Sequence, residues 1–187
     1  MATRNYGIVI GSVATGLLGL VVIALLIVKV FFVTYFVIPQ NGMYPSLPAG
    51  SVFFSVQHPY ASPSEVRRGD IVVFTRDIDG RRYDYVWRVV GLPGDTVETA
   101  GASLAVNGRP VGRELVRAEH GIAIFRERVG EETYEVAISQ SPPHLLPDAS
   151  VVVPPDQFFV MGDNRYNAVD SRSFGPIPFG TIIGRKP

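Results

Sequence analysis

The chain has 187 residues, enough for one anchored domain of ordinary size, and its seventeen basic and seventeen acidic residues cancel to a formal charge of zero. This balance gives no sign of the clustered positive charge that binds nucleic acid, and the lack of cysteine excludes disulfides, thiolate catalysis and Cys-ligated zinc. The histidines, His58, His120 and His144, are scattered without the spacing of metal ligands, so we expect neither a metal nor another cofactor.

The first predicted element is a membrane anchor. Residues 8–28 carry no charge, and a second apolar stretch, 30–38, follows Lys29. About 20 apolar residues span a bilayer, whereas the apolar region of a cleavable signal peptide is only ~7–15 residues long and ends in a small-x-small site. The sequence therefore predicts an uncleaved transmembrane helix within residues 1–38. Arg4 favours a cytoplasmic N-terminus, so we expect a single-pass protein whose C-terminal domain lies on the outer (periplasmic or extracellular) face of the membrane.

Residues 39–187 are predicted to form a mainly β domain. Short β-branched or aromatic runs bounded by turn residues are typical of strands, and they occur at 51–56, 70–74, 85–90, 103–106, 132–138, 151–153 and 157–161. No long segment with a 3.6-residue period follows the anchor, so the expected fold is a coiled antiparallel β-sheet. Residues 98–150 hold most of the charge clusters and are interpreted as an inserted cap sub-domain.

Three segments carry the functional signal. The first is Asn41-Gly-Met-Tyr-Pro-Ser-Leu47. The second combines Arg68-Gly-Asp-Ile-Val-Val-Phe74 with Tyr85-Val-Trp-Arg-Val-Val-Gly-Leu-Pro-Gly-Asp95, and the third is Val153-Pro-Pro-Asp-Gln-Phe-Phe-Val-Met-Gly-Asp-Asn-Arg165, continuing to Val169-Asp-Ser-Arg172. In this order and behind an N-terminal anchor, they resemble the type I signal peptidase family. The resemblance covers nearly all of residues 38–185, and its most specific part is Gly162-Asp-Asn-Arg165 with Asp170-Ser-Arg172.

The resemblance implies a β domain of signal-peptidase type behind one transmembrane helix. It also implies a serine protease that cuts signal peptides from exported precursors with a Ser/Lys dyad. In that chemistry a desolvated lysine takes the proton of the serine, and hydrogen-bond donors stabilise the oxyanion. By the same resemblance, a set of residues holds the loops and strands of the site together: Arg68, Gly69, Asp70, Gly162, Asp163, Asn164, Arg165, Asp170 and Arg172.

The catalytic residues that the resemblance implies are replaced in this chain. Gly42 stands where the Ser-Met-x-Pro pattern has its nucleophile, and Trp87 stands where the general-base lysine precedes arginine. Gln40 and Ala168 replace a serine that donates to the oxyanion and a serine that holds the lysine. An indole N–H is only a donor, so Trp87 cannot accept a proton, and we expect its large ring to fill the space opposite Gly42.

The leading hypothesis is a catalytically inactive, signal-peptidase-like membrane protein, acting as a binding or scaffold subunit in a membrane-associated complex or in protein export. Met43, Tyr44, Pro45 and Trp87 are the candidate peptide- or partner-binding residues, and the expected partners are membrane lipid and another membrane or exported protein. Two alternatives stay open: an active type I signal peptidase with an unrecognised catalytic set, and a deliberate replacement of the catalytic residues. Ser46 lies nearby and is interpreted as a structural hydroxyl.

Overall fold

The computed structural model describes residues 14–24 and 33–187 of the chain. The chain divides into two units, one that ends at Thr34 and one from Tyr35 to Pro187. In the first unit, residues 14–24 are α-helical, and within the described residues no helix has the length and hydropathy required to cross a membrane. Most of the predicted anchor lies outside the described residues, so the transmembrane helix and its orientation stay predictions.

The second unit is built from antiparallel strands, which confirms the prediction of a mainly β fold. A one-turn helix, α1 (Ser171–Phe174), and the 3₁₀ turns Pro63–Glu65 and Phe179–Thr181 interrupt the strands. The strands are β1 (Val33–Val37), β2 (Val52–Gln57), β3 (Ile71–Ile78), β4 (Arg81–Gly91), β5 (Thr96–Ala100), β6 (Ser103–Val106), β7 (Arg109–Pro110), β8 (Gly112–Glu119), β9 (Ile122–Val129), β10 (Glu132–Ser139), β11 (Ala149–Val152), β12 (Gln157–Met161), β13 (Ile177–Pro178) and β14 (Ile182–Arg185).

These strands form three sheets in the described part of the chain. The largest has seven strands in the order β1-β2-β14-β3-β4-β12-β13, and the others have the orders β10-β9-β8 and β11-β5-β6-β7. The sheet of β8, β9 and β10 lies wholly within residues 98–150, whereas β5 and β11 straddle the two ends of that range. The inserted cap sub-domain therefore stays a prediction.

Strand β12 separates two apolar cores, because its side chains alternate between them. Phe158 and Val160 pack in the core that also holds Trp87, whereas Phe159 and Met161 pack in the other core. Each fully buried side chain of this size contributes about 1.5–3 kcal/mol. The strand is thus fixed on both faces, and the segment that follows it, from residue 162 onward, starts from a rigid position.

The turn at Asp95 joins the two cores and carries a buried carboxylate. It accepts hydrogen bonds from the Leu92 N–H (2.6 Å), from the side-chain amide of Asn107 (2.8 Å) and from Nη2 of Arg68 (2.8 Å). Burial alone would raise the pKa of Asp95, but these hydrogen bonds and the charge of Arg68 hold it below its ordinary value. The carboxylate therefore adds stability that is complete above the unfolded-state pKa, about 4, and is lost as the pH falls through the folded-state pKa.

We expect Asp95→Asn to lower the free energy of unfolding by about 1–3 kcal/mol at neutral pH. The difference from wild type should shrink at acidic pH, as the pH falls through the folded-state pKa of Asp95 and the stabilisation from its ionised carboxylate is lost. Urea denaturation at both pH values measures this change. Asp84→Asn, at an exposed carboxylate without an ion pair in the described chain, is the control; an unchanged difference at low pH would contradict the account.

Candidate functional site

The loop 39–47 between β1 and β2 is held by its own backbone and by two core side chains. The N–H of Leu47 donates to the carbonyl of Met43 at 2.8 Å, and both side chains are buried. The carboxamide oxygen of Asn41 accepts from the Ala49 N–H at 2.8 Å, which closes the loop at its base. The Tyr44–Pro45 peptide bond is cis. The loop is therefore a fixed part of the site.

The segment 162–172 forms the second wall of the site and is joined to the loop through the backbone. The N–H of Asn164 donates to the carbonyl of Gly42 at 3.0 Å. The N–H of Gly162 donates to Oδ2 of Asp170 at 2.9 Å, and this buried carboxylate also receives Nε and Nη2 of Arg172 at 2.8 and 2.7 Å. Two segments more than a hundred residues apart in the chain are thus placed side by side.

Arg88 ties the loop, the turn at Gly69 and the second wall together. Its guanidinium forms a two-pronged ion pair with Asp163 (2.8 and 2.7 Å) and donates to the carbonyl of Gly69 (2.8 Å) and to Oγ of Ser46 (3.1 Å). Burial alone would lower the pKa of Arg88, but the adjacent carboxylate of Asp163 raises it above its ordinary value, so Arg88 keeps its positive charge. The contact gives the Ser46 hydroxyl a structural partner.

Arg165 is paired with Glu127 of β9, and both side chains are essentially inaccessible. Burial lowers the pKa of Arg165, but the adjacent carboxylate of Glu127 raises it above the ordinary value. Arg113 lies 3.2 Å from the other oxygen of Glu127. Through this pair the second wall is fastened to the sheet of β8, β9 and β10.

The turn Arg68-Gly69-Asp70 lies beside this network. The carboxylate of Asp70 accepts from the Tyr60 hydroxyl (2.6 Å) and from the Arg67 N–H (2.9 Å). Gly69 has a φ of +92°, and an added Cβ would lie 3.0 Å from the side chain of Glu132, so the turn requires glycine. The residues to which the resemblance assigned structural roles thus lie in two adjoining networks of hydrogen bonds and ion pairs. Each network contains buried or half-buried carboxylates.

A groove of about 220 Å³ opens between the loop and β4. Strand β4 pairs with β3 along its length but with β12 only at Arg88, Val89 and Gly91. Within the described chain, the second edge of β4 before Arg88 therefore has no strand partner. The Val89 N–H donates to the carbonyl of Asp70, at the edge of β4 that faces β3. In an antiparallel pair, the backbone groups of successive residues point to alternate edges of the strand, so the N–H and C=O groups of Asp84 and Val86 point to the other edge, toward the groove.

Trp87 closes the inner end of this groove. Its ring lies directly against Gly42, where an added Cβ would be 2.5 and 2.7 Å from two ring carbons. An added Cβ on Gly162 would be 3.0 Å from the same ring and would collide with Ala168. The indole N–H is buried without a hydrogen-bond partner among the described residues. Gly42, Gly162 and Ala168 thus form a pocket of small residues around the indole.

The structure brings together most of the residues singled out from the sequence. Gln40, Met43 and Trp87 line the groove, but Tyr44 does not: its hydroxyl donates to Glu119 at 3.0 Å. Pro45 is not among the groove-lining residues either. Sequence reasoning missed a further set of lining residues: Ile38, Pro39, Tyr83, Asp84, Tyr85 and Val86. For the residues of β4, the alternation of Tyr83, Tyr85 and Trp87 on one face of the strand is the sequence signal that could have identified them.

Comparison with known proteins gives relatives that cover most of the chain. Signal peptidase I S of Bacillus subtilis (strain 168) is 37% identical over 82% of this chain and 73% of its own length. Signal peptidase I of Pseudomonas fluorescens is 30% identical over 88% and 67%, and that of Leptolyngbya laminosa is 32% identical over 90% and 73%.

These relatives correct the functional hypothesis drawn from the sequence. They are named as signal peptidase I, at 30–37% identity over most of the chain, so the prediction of a catalytically inactive scaffold, and of a chain that is not an enzyme, is wrong. The prediction failed because a replaced motif residue excludes only the catalytic role of that one side chain. Glycine at position 42 and tryptophan at position 87 rule out those two side chains as nucleophile and base, but they do not rule out catalysis by other groups.

A family model described as "Signal peptidase, peptidase S26" matches residues 12–187. The crystal structure of a signal peptidase I from Enterococcus faecalis V583 aligns with 65% of this chain and 97% of its own, at 25% identity and a TM-score of 0.40. That score adds nothing to the assignment, which depends on the family model and on the relatives. The chain belongs to the signal peptidase family, peptidase S26.

Proposed function

We propose that the chain is an active signal peptidase, a serine endopeptidase that removes signal peptides from exported proteins with a catalytic set other than the Ser/Lys pair. The identity to named signal peptidases supports the activity. The observation that carries the proposal is the groove, in which an unpaired strand edge faces the rigid loop 39–47.

This edge suits an extended peptide. Strand addition gives affinity through backbone hydrogen bonds, while side pockets select the side chains. The backbone groups of Asp84 and Val86 are the pairing partners for such a peptide, and Met43 and Trp87 form the apolar floor. Because the indole occupies the inner end of the groove, the peptide has room there only for small side chains.

We expect the catalytic groups to lie beside the bound peptide. The groove is lined by one carboxylate, Asp84, which is exposed and has no ion pair or hydrogen bond within the described chain; a carboxylate in hydrogen-bond reach of a reacting group is a general-base candidate. Ser46 is the serine of the adjoining loop, but its hydroxyl accepts from Arg88 and it is not among the groove-lining residues. Labelling the purified chain with a fluorophosphonate probe, followed by peptide mass spectrometry, identifies the serine that reacts.

The apolar N-terminal segment is proposed to hold the chain in the membrane as a single pass, with the β domain on the outer face, where exported precursors emerge. Because the chain has no cysteine, single introduced cysteines report the orientation. A membrane-impermeant maleimide should label Ser64→Cys in intact cells and Thr3→Cys only after permeabilisation; the reverse pattern would contradict the orientation.

The strand-addition mode predicts the effect of Val86→Pro. Proline removes the backbone N–H that faces the groove, without removing a hydrogen bond to β3. We expect kcat/KM for preprotein cleavage to fall about tenfold, mainly through KM, because one backbone hydrogen bond to the substrate is lost. Val86→Thr, which keeps the N–H and the side-chain volume, is the matched control. Equal kcat/KM in the two variants would contradict strand addition at this edge.

A further inference from the structure

A second cavity, of about 660 Å³, lies away from the groove and shares none of its lining residues. Three arginines line it: Arg68, Arg109 and Arg128. No acidic residue of the described chain contributes to its lining. The protein as a whole has no net charge, so this local excess of positive charge requires its own explanation.

Among the described residues, only one of the three guanidiniums has a partner. Arg68 donates through Nη1 to the carbonyl of Val90 and through Nη2 to Asp95, so its plane is fixed while its Nε–H has no partner in the described structure. Arg109 and Arg128 are exposed, and their guanidiniums make no ion pair or hydrogen bond with any described residue. With Asp95 balancing Arg68, two uncompensated charges border one cavity.

The cavity is bordered by ordered strands, and two of its lining residues are glycines, Gly112 and Gly130. Arg109 follows the Asn107-Gly108 turn, and Arg128 precedes the buried Val129, so both arginines extend from ordered strands. The cross-strand partner of Arg128 on β8 is Gly112, which has no side chain to cover it. An added Cβ on Gly130 would lie 3.8 Å from Nε of Arg68, in the mouth of the cavity.

Like charges that share a concave site repel one another unless an anion balances them. A guanidinium offers a planar fork of donors that matches the oxygens of phosphate, and such charge-assisted hydrogen bonds are among the strongest in proteins. We propose that this cavity binds a phosphate group, either as free inorganic phosphate or as the phosphate of an anionic lipid headgroup. The proposal stands independently of the proposed function, because it uses none of the groove residues.

The test is isothermal titration of the full-length chain, in a neutral detergent, with inorganic phosphate at constant ionic strength. We expect saturable one-site binding, and an affinity about tenfold lower in each of Arg109→Gln and Arg128→Gln, since each loses a charged hydrogen bond. Arg81→Gln removes the same charge from an exposed arginine outside the cavity and should bind as wild type does. Thermal unfolding of each variant verifies that the fold is kept.

A second series identifies the source of the phosphate. The titration is repeated in micelles doped with phosphatidylglycerol or with phosphatidylcholine. If only phosphatidylglycerol competes with inorganic phosphate, the site takes the lipid headgroup; if neither lipid competes, it takes the free anion. The proposal is overturned if no saturable binding of either ligand occurs, or if Arg81→Gln weakens binding as much as the two cavity variants do.

Discussion

Glu127→Ala is expected to lower the free energy of unfolding by about 3–5 kcal/mol, because it leaves the guanidinium of Arg165 buried without its carboxylate. Both side chains are essentially inaccessible, at 1% exposure for Arg165 and 0% for Glu127. Nε of Arg165 already lacks a hydrogen-bond partner among the described residues, so the truncation adds a second unsatisfied donor to the same guanidinium. Urea denaturation followed by far-UV circular dichroism measures the loss.

The matched control for this variant is Glu135→Ala on the neighbouring strand. Its carboxylate pairs with Arg117 at 3.2 Å in a solvent-exposed position, where an ion pair contributes at most about 1 kcal/mol. The double variant Glu127→Ala/Arg165→Met removes both charges and should recover part of the lost stability. Equal losses in Glu127→Ala and Glu135→Ala would contradict the assigned role of the buried pair.

Gly162→Ala is expected to cost about 3 kcal/mol and to abolish peptide cleavage. The new methyl group would lie 2.7 Å from the carbonyl of Gly42 and 3.0 Å from the Trp87 ring, and it would collide with Ala168. Overpacking of a filled core costs about 1–3 kcal/mol. Because the clash at the Gly42 carbonyl is with backbone, the two walls of the site must also move apart to relieve it. The loop 39–47 would then lose its hydrogen bond from Asn164.

Two variants test whether this loss comes from the clash. Ala168→Gly removes the nearest obstacle, so Gly162→Ala/Ala168→Gly should regain part of the stability of the single variant. Gly112→Ala, at a strand glycine with nothing within 4 Å of an added Cβ, should change the free energy of unfolding by less than about 0.5 kcal/mol. Strictly additive effects in the double variant would contradict the packing argument.

The pattern of apolar residues predicted the fold because most strands alternate or are buried on both faces. The predicted run 157–161 coincides with β12, and 85–90 lies within β4. Strands β8 and β9 were missed, because charged residues interrupt the apolar pattern in this part of the chain. Glu127 shows why the pattern was misleading: it is a buried carboxylate in a strand, and it pairs with the distant Arg165 and with Arg113 of the adjacent strand.

The site, too, was predicted only in part, because some of its contacts join residues that are distant in the chain. The motifs placed the loop 39–47 and the segment 162–172 near each other, and the backbone contact of Gly42 with Asn164 agrees with that. No motif joins Arg68, Arg109 and Arg128, which are far apart in the chain and share a cavity only because of the fold. The inference of inactivity failed because it gave the loss of one Ser/Lys pair more weight than the alternative, an active peptidase with another catalytic set.

Cleavage of signal peptides is the activity that we propose for this chain. The most direct measurement incubates the purified full-length chain with a preprotein in slight molar excess and identifies the products by N-terminal sequencing and mass spectrometry, with signal peptidase I S of Bacillus subtilis as the positive control. The account predicts a single cut after a small-x-small site, with more than one substrate cleaved per enzyme molecule. A preprotein that stays intact with this chain, while the control cleaves it, would contradict the account.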